Sequence, residues 1–257
     1  MPTDPTANLP WPQKIRLLQR RFEHSCRNLL LNFSQVIFTK TLSSKSNPSL
    51  FKALAARSSI KRILIIRTGK AMGDAIMSLV LIPECQRLFP NATIDLLLRD
   101  NISSLFKETA GVDTVLEFHP RFLKWPVTTG RLFSKLRTKG YDLAIACDNP
   151  YKSSFTTLCL CLWTGAPWQL GFENEESRSF LNLMVSAQKE EKMVTNLKKL
   201  LIPFGESPKE TEDATIPKLS IPTRYLTEAD MLLGSNSKPI LVFISNHWRK
   251  SWPLDSF

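Results

Sequence analysis

Apolar and polar positions alternate between two rhythms along most of this chain. Ile63-Leu64-Ile65-Ile66 is an unbroken apolar run, too short for a helix and rich in β-branched residues. Such a run predicts a strand buried on both faces, as in a parallel sheet. Comparable strands are predicted at Ala92–Leu98, Thr114–Phe118, Asp142–Cys147 and Gln169–Phe172. Between them the spacing turns helical: Ala75–Phe89, interrupted by Pro83, then Ile102–Ala110, Val127–Thr138 and Ser153–Trp163. Gly140 follows the third of these as a plausible C-cap. Strand and helix alternating at crossover spacing predict an α/β fold with a right-handed parallel sheet.

The ends of the chain have a different pattern. Trp11, Ile15, Leu18, Phe22, Cys26, Leu29 and Phe33 recur at steps of three and four, with Lys14, Arg16, Arg20, Arg21 and Arg27 mostly elsewhere on the wheel. This predicts a basic amphipathic helix over residues 11–42, and two readings of it stay open. It lies on an anionic membrane surface, or it docks on the body with its basic face solvated. A polar linker, SSKSNP, and a short helix over Leu50–Ala56 complete an extension covering residues 1–58. The body spans 59–205. Residues 206–238, acidic and proline-containing at Pro208–Pro222, read as a linker. A new strand, ILVFIS, opens residues 239–257.

Composition narrows the class. A 43% hydrophobic content is that of an ordinary globular protein. No apolar run reaches the roughly 18 residues of a membrane span, and the N-terminus has no clean signal-peptide pattern, so a cytoplasmic location is expected. The formal charge is +11, of which residues 1–62 carry eleven Lys and Arg against only Asp4 and Glu23. The basic excess therefore belongs to the extension and suits an anionic surface. Nucleic acid is the weaker partner, because that stretch offers few aromatics for base stacking. Cys26, Cys85, Cys147, Cys159 and Cys161 show no metal or redox spacing, and no metal or cofactor is expected.

The densest chemistry follows the first strand: Arg67-Thr68-Gly69-Lys70-Ala71-Met72-Gly73-Asp74. Two glycines able to take positive φ precede an aspartate at a helix start. Asp74 reads either as an N-cap, favourable to the helix dipole, or as a catalytic carboxylate at the mouth of the sheet. A phosphate-binding P-loop is excluded, since Ala71 rather than Ser or Thr follows Lys70. The three-glycine dinucleotide fingerprint is absent as well.

Arg67-Thr68, Met72-Gly73-Asp74, Pro83 and Phe89-Pro90-Asn91-Ala92 together resemble the opening motif of the heptosyltransferases, glycosyltransferase family 9. GVDTVLEF, LRTKGYDLAIACDN, the region of Gly165 and Gly171, and Asn196-Leu197 in VTNLKKLLIPFG are similar to later parts of that family. Lys250-Ser251-Trp252-Pro253 keeps the core of its second signature, while Ser245-Asn246 departs from the family's usual turn.

The resemblance implies a GT-B enzyme with two facing Rossmann-like lobes, the first on the acceptor side and the second only begun here. It implies sugar transfer with inversion from a nucleotide-sugar, typically ADP-heptose, to a lipopolysaccharide core or lipid-linked acceptor. Asp74 would be the general base, and Lys250 with Ser245 and Asn246 would meet the donor diphosphate. Arg67, Thr68 and Gly73 would line the acceptor side. The enzyme would sit at the inner face of the bacterial inner membrane. With a donor lobe only begun, the 257 residues are expected to be inactive alone, whether as a fragment, a truncated product or half of a split enzyme. The alternative is a non-catalytic remnant or a membrane-surface binding protein without a donor site.

Overall fold

A computed structural model describes residues 50–120, 126–205 and 223–233. The predicted helix at 11–42, most of the linker and the strand ILVFIS lie outside these residues. Six strands form one parallel sheet: β1 Arg62–Arg67, β2 Thr93–Arg99, β3 Thr114–Phe118, β4 Leu143–Ala146, β5 Trp168–Phe172 and β6 Leu183–Val185. Their order is β3-β2-β1-β4-β5-β6, and every pairing is parallel. The chain starts in the middle, winds outward through β2 and β3, crosses back, and winds the other way from β4. The reversal falls between β1 and β4, whose register pairs Ile66 with Ala146. A crevice at the carboxyl ends of the strands is expected at such a reversal.

The helices are α1 Leu50–Ala56, α2 Met72–Ser78, α3 Leu81–Leu88, α4 Asp100–Ser103, α5 Pro126–Thr138, α6 Phe155–Trp163 and α7 Met193–Lys199. A further helix, α8 Thr223–Leu233, belongs to a separate compact unit that begins at Ile221, and it lies within the span read as linker. No described helix is long and apolar enough to cross a membrane.

Each face of the sheet carries its own core. Ile63 and Ile65 pack with Leu79, Leu81, Leu197 and Phe204 under α2, α3 and α7. Leu64 and Ile66 point the other way, into a cluster with Leu136, Leu158 and Phe180 under α5 and α6. Period-two alternation along a strand sends neighbours to opposite faces, and here both faces are covered. This is why β1 reads as continuously apolar.

Three sequence expectations need correction. The helix expected over Ala75–Phe89 is two helices, because Pro83 has no N–H for the Leu79 carbonyl and crowds it. The chain breaks at Leu79–Val80, and Pro83 falls in the first turn of α3, where proline is tolerated. Helix α2 begins at Met72 with Ala71 as N-cap, so Asp74 is the third residue of its first turn rather than its cap. Neither Gly69 nor Gly73 uses positive φ; among described glycines that conformation belongs to Gly111, Gly140 and Gly165. Gly69 matters for space, since a Cβ there would stand 3.3 Å from Arg67 Nε.

Candidate functional site

The carboxyl edge at the β1–β4 reversal gathers the polar residues. Arg67 ends β1, and its guanidinium turns back beneath the edge, 6% exposed. Its Nη2 donates to Asp74 Oδ2 at 2.5 Å, and its Nη1 donates to the Cys147 carbonyl at 2.8 Å. Cys147 is placed for this because its own N–H continues the β1–β4 ladder to Ile66 O at 3.0 Å. The same Nη1 stands 4.0 Å from Asp148 Oδ1. Nε is buried with no partner, packed against the Gly69 turn.

Asp148, two residues past β4, is buried and held from the side of α6. The Ser154 N–H donates to its Oδ2 at 2.7 Å, and Thr157 Oγ1 donates to Oδ1 at 3.1 Å. Thr68 joins the network through Thr157 at 2.8 Å. Burial raises the Asp148 carboxyl above its ordinary range, against the opposing pull of those donors and Arg67. Burial also pushes the Cys147 thiol up to about 12, which leaves it an inert neighbour at neutral pH.

Asp74 differs from Asp148 in being open. Its side chain is 43% exposed, and beyond Arg67 it accepts no hydrogen bond from a described residue. A Cβ on the neighbouring Gly73 would meet nothing within 4 Å, so the approach beside the carboxylate is clear. A carboxylate fixed by one oxygen and free at the other can take a proton from a hydroxyl brought to it.

Other polar groups share this edge. Asp100 Oδ2, just after β2, accepts from His119 Nδ1 at 2.8 Å, and Arg99 Nε lies 4.0 Å from Asp100. Glu173, just after β5, takes Ser186 Oγ at 2.8 Å and Arg178 Nη2 at 3.0 Å, which hold its carboxyl below the usual range. A cleft of about 480 Å³ lined by Leu54, Arg57, Ile60 and Phe89 opens at the opposite, amino edge. No carboxylate lines it, and it is remote from this chemistry along the strands.

Of the residues singled out in the sequence, Arg67 pairs with Asp74, Thr68 bonds to Thr157, and Gly73 directly precedes Asp74 in the first turn of α2. Ser245, Asn246 and Lys250 lie outside the described residues. Asp148, Ser154, Thr157, Asp100 and His119 were not picked out beforehand. Their signal is positional: each follows, or closes on, the carboxyl end of a strand, and this can be used only once strand order is known.

Solved structures with the same fold have descriptions that point one way. Two are the E. coli heptosyltransferase WaaC, with ADP and with ADP-2-deoxy-2-fluoro heptose. They are 19% and 20% identical, each at a TM-score of 0.50 over 60% of this chain. A third is a glycosyl transferase family 9 protein from Veillonella parvula, 17% identical at a TM-score of 0.59 over 75% of this chain. The matches cover 51%, 52% and 56% of those proteins, so this chain spans about half their length. No curated protein matches it. The family model for glycosyltransferase family 9 (heptosyltransferase) matches residues 129–257, half of the sequence. With a parallel α/β sheet shared with GT-B glycosyltransferases, and the family model covering half its residues, this chain belongs to glycosyltransferase family 9.

Proposed function

We propose that the protein transfers heptose, or a closely related sugar, from an ADP-type nucleotide-sugar to a lipopolysaccharide core acceptor. The observation that carries the reading is the state of Asp74: half-exposed, at the carboxyl edge of the topological reversal, with one oxygen tied to a buried arginine and the other open. The adenine nucleotides bound by the WaaC structures support the donor class.

In this mechanism the acceptor hydroxyl oxygen attacks the anomeric carbon as the bond from that carbon to the diphosphate oxygen breaks. The electron pair leaves with the nucleoside diphosphate, the hydroxyl proton passes to Asp74, and the anomeric configuration inverts. Thr68 and Gly73 form the acceptor-side wall around the base, with the buried Arg67 beneath it. Lys250 neutralises charge on the departing diphosphate, and Ser245 and Asn246 contribute turn N–H groups to it. The basic extension keeps the protein at the cytoplasmic face of the membrane, near a lipid-borne acceptor.

The test supplies full-length protein with ADP-heptose and a truncated core acceptor, with product anomer assigned by NMR. The expected result is an inverted glycoside, with Lys250→Ala weakening both donor binding and turnover, because a cation facing a diphosphate stabilises ground and transition states alike. Transfer only from donors of another nucleotide class, or retention at the anomeric carbon, would contradict the proposal.

A further inference from the structure

Arg67 is better placed to control Asp74 than to touch a substrate. The guanidinium is buried, and its two terminal nitrogens are engaged with protein oxygens on either side of the reversal: Asp74 on α2 and the Cys147 carbonyl after β4. Its Nε faces the Gly69 turn, which needs glycine to pass so close. Asp148, itself tied to Ser154 and Thr157, stands behind Nη1 at 4.0 Å. The Cys147 carbonyl, Asp148 and the Gly69 turn therefore surround one planar cation, and that cation holds one oxygen of Asp74.

The arrangement suits a base that must be aimed. An exposed aspartate samples several rotamers, and its reactive oxygen is near a substrate only part of the time. A planar arginine offers a fork of donors in fixed directions, whereas a lysine offers a mobile point charge. A guanidinium paired only with Asp74 would be free to move with it. Asp148, a second carboxylate on the far side of the same guanidinium, shares that positive charge. When Asp74 takes up a proton, Asp148 and the Cys147 carbonyl still hold the arginine in place for the next cycle.

We propose that Arg67 is the positioning residue for Asp74, with Asp148 as the anchor of Arg67, so that Asp74 Oδ2 is held and Oδ1 faces the incoming hydroxyl. Arg67 thus serves the acceptor side from beneath, through the base. The proposal rests on the glycosyl-transfer reading for its kinetics and on geometry alone for the pairing.

The experiment has two arms, both on the full-length protein. In the first, Arg67→Lys and Arg67→Met are compared with wild type in the transfer assay. Arg67→Met is expected to lower kcat about 100-fold with acceptor KM within about twofold, since a misplaced catalytic group costs rate rather than binding. Arg67→Lys should recover about tenfold of that loss, because it keeps the charge and loses the fork. An increase in acceptor KM at unchanged kcat would make Arg67 a substrate contact and overturn the proposal. Equal activity per folded molecule, with only a lower melting temperature, would make it purely structural and overturn it too.

The second arm needs no turnover. Carbodiimide with glycine ethyl ester labels accessible carboxylates, and the Asp74 peptide is followed by mass spectrometry. Labelling should rise several-fold in Arg67→Lys, and in Asp148→Asn, which keeps the shape of the anchor without its charge. Unchanged labelling in both variants would overturn the pairing. Faster labelling in a protein whose wild type transfers no sugar would uphold the pairing and reject the glycosyl-transfer reading instead.

Discussion

The amino edge of the sheet and Asp74 at its carboxyl edge use acidic side chains in opposite ways. At the amino edge each carboxylate is closed upon its surroundings. Asp142 Oδ2 takes the N–H groups of Lys61 and Arg62 at 2.8 and 2.9 Å, and Asp113 takes that of Ile94 at 2.8 Å. Asp95, buried in β2, is held by Lys139 and by Tyr141 Oη at 2.6 Å, and Lys139 also reaches Thr114. Burial and Asp95 together raise the Tyr141 phenol above its ordinary value, so it stays a donor throughout the working range. At the carboxyl edge, Asp74 keeps an oxygen open to solvent. Carboxylates that begin strands complete the backbone hydrogen bonding that a sheet margin leaves unfinished. Asp74 lies beyond the strand ends, completes no strand margin, and is left free for chemistry.

The largest structural effect should follow from opening an amino-edge cluster. Asp95→Ala leaves Lys139 and a buried tyrosine hydroxyl without their acceptor. It is expected to cost about 3 kcal/mol of folding stability with turnover per folded molecule unchanged. Urea unfolding alongside the transfer assay checks both halves. A loss of turnover with stability intact would erase the distinction between the edges.

Gly171 in β5 comes next. A Cβ there would stand 2.5 Å from Leu181 Cδ1 and 3.3 Å from Ala146, so Gly171→Ala should destabilise by about 2 kcal/mol through overpacking between β4 and the approach to β6. Thermal melting reads this, and a variant as stable as wild type would show that Leu181 can yield.

A smaller effect concerns Asp148 and pH. Its carboxyl binds a proton more tightly folded than unfolded, so its contribution to stability is fully present below 3.8, its ordinary value, and is lost as pH rises through the raised one. Asp148→Asn removes that slope. Its stability relative to wild type should therefore be more favourable at pH 7 than at pH 4, and denaturant titrations at the two pH values measure the difference. A difference of opposite sign would mean that Arg67 outweighs burial.

The weakest effect lies in the thiols. Cys147 and Cys159 are pushed up to about 12 by burial, and Cys85 and Cys161 are raised as well, from an ordinary 9.0. Their stability contribution is complete below pH 9 and declines above it, as the unfolded chain ionises first. Iodoacetamide at pH 8 should leave the buried Cys85, Cys147 and Cys161 unmodified until denaturant is added, by peptide mass mapping. Rapid native labelling of Cys147 would show that the edge beside Arg67 opens.

Much of this architecture was readable from side-chain pattern alone, for physical reasons. Buried parallel strands need continuous apolar runs, so β1 stands out; Thr114–Phe118, a marginal strand, also has the bounds read from sequence. Strand β6 did not, because Leu183–Val185 is three residues at the sheet margin between Asn182 and Ser186, where little apolar surface is required. Helix α5 with Gly140 behind it was legible because that glycine takes φ 63°, a conformation its type signals. Within the site, Asp74 was visible because a local turn announces it. Asp148 was not, because its meaning depends on β4 lying beside β1, a pairing of residues about eighty apart that no local pattern encodes. Likewise Arg67 follows the first strand in the sequence, and only the fold shows that it is buried and aimed at Asp74.

The open carboxylate at the β1–β4 reversal is the proposed base for sugar transfer. Asp74→Asn tests it most directly, because asparagine keeps the size and can still accept from Arg67 while losing basicity. In the full-length protein, kcat should fall roughly 10²–10⁴-fold with donor affinity and melting temperature nearly unchanged. A folded Asp74→Asn protein that transfers sugar at the wild-type rate would contradict the account and leave Asp74 as the surface partner of a buried arginine.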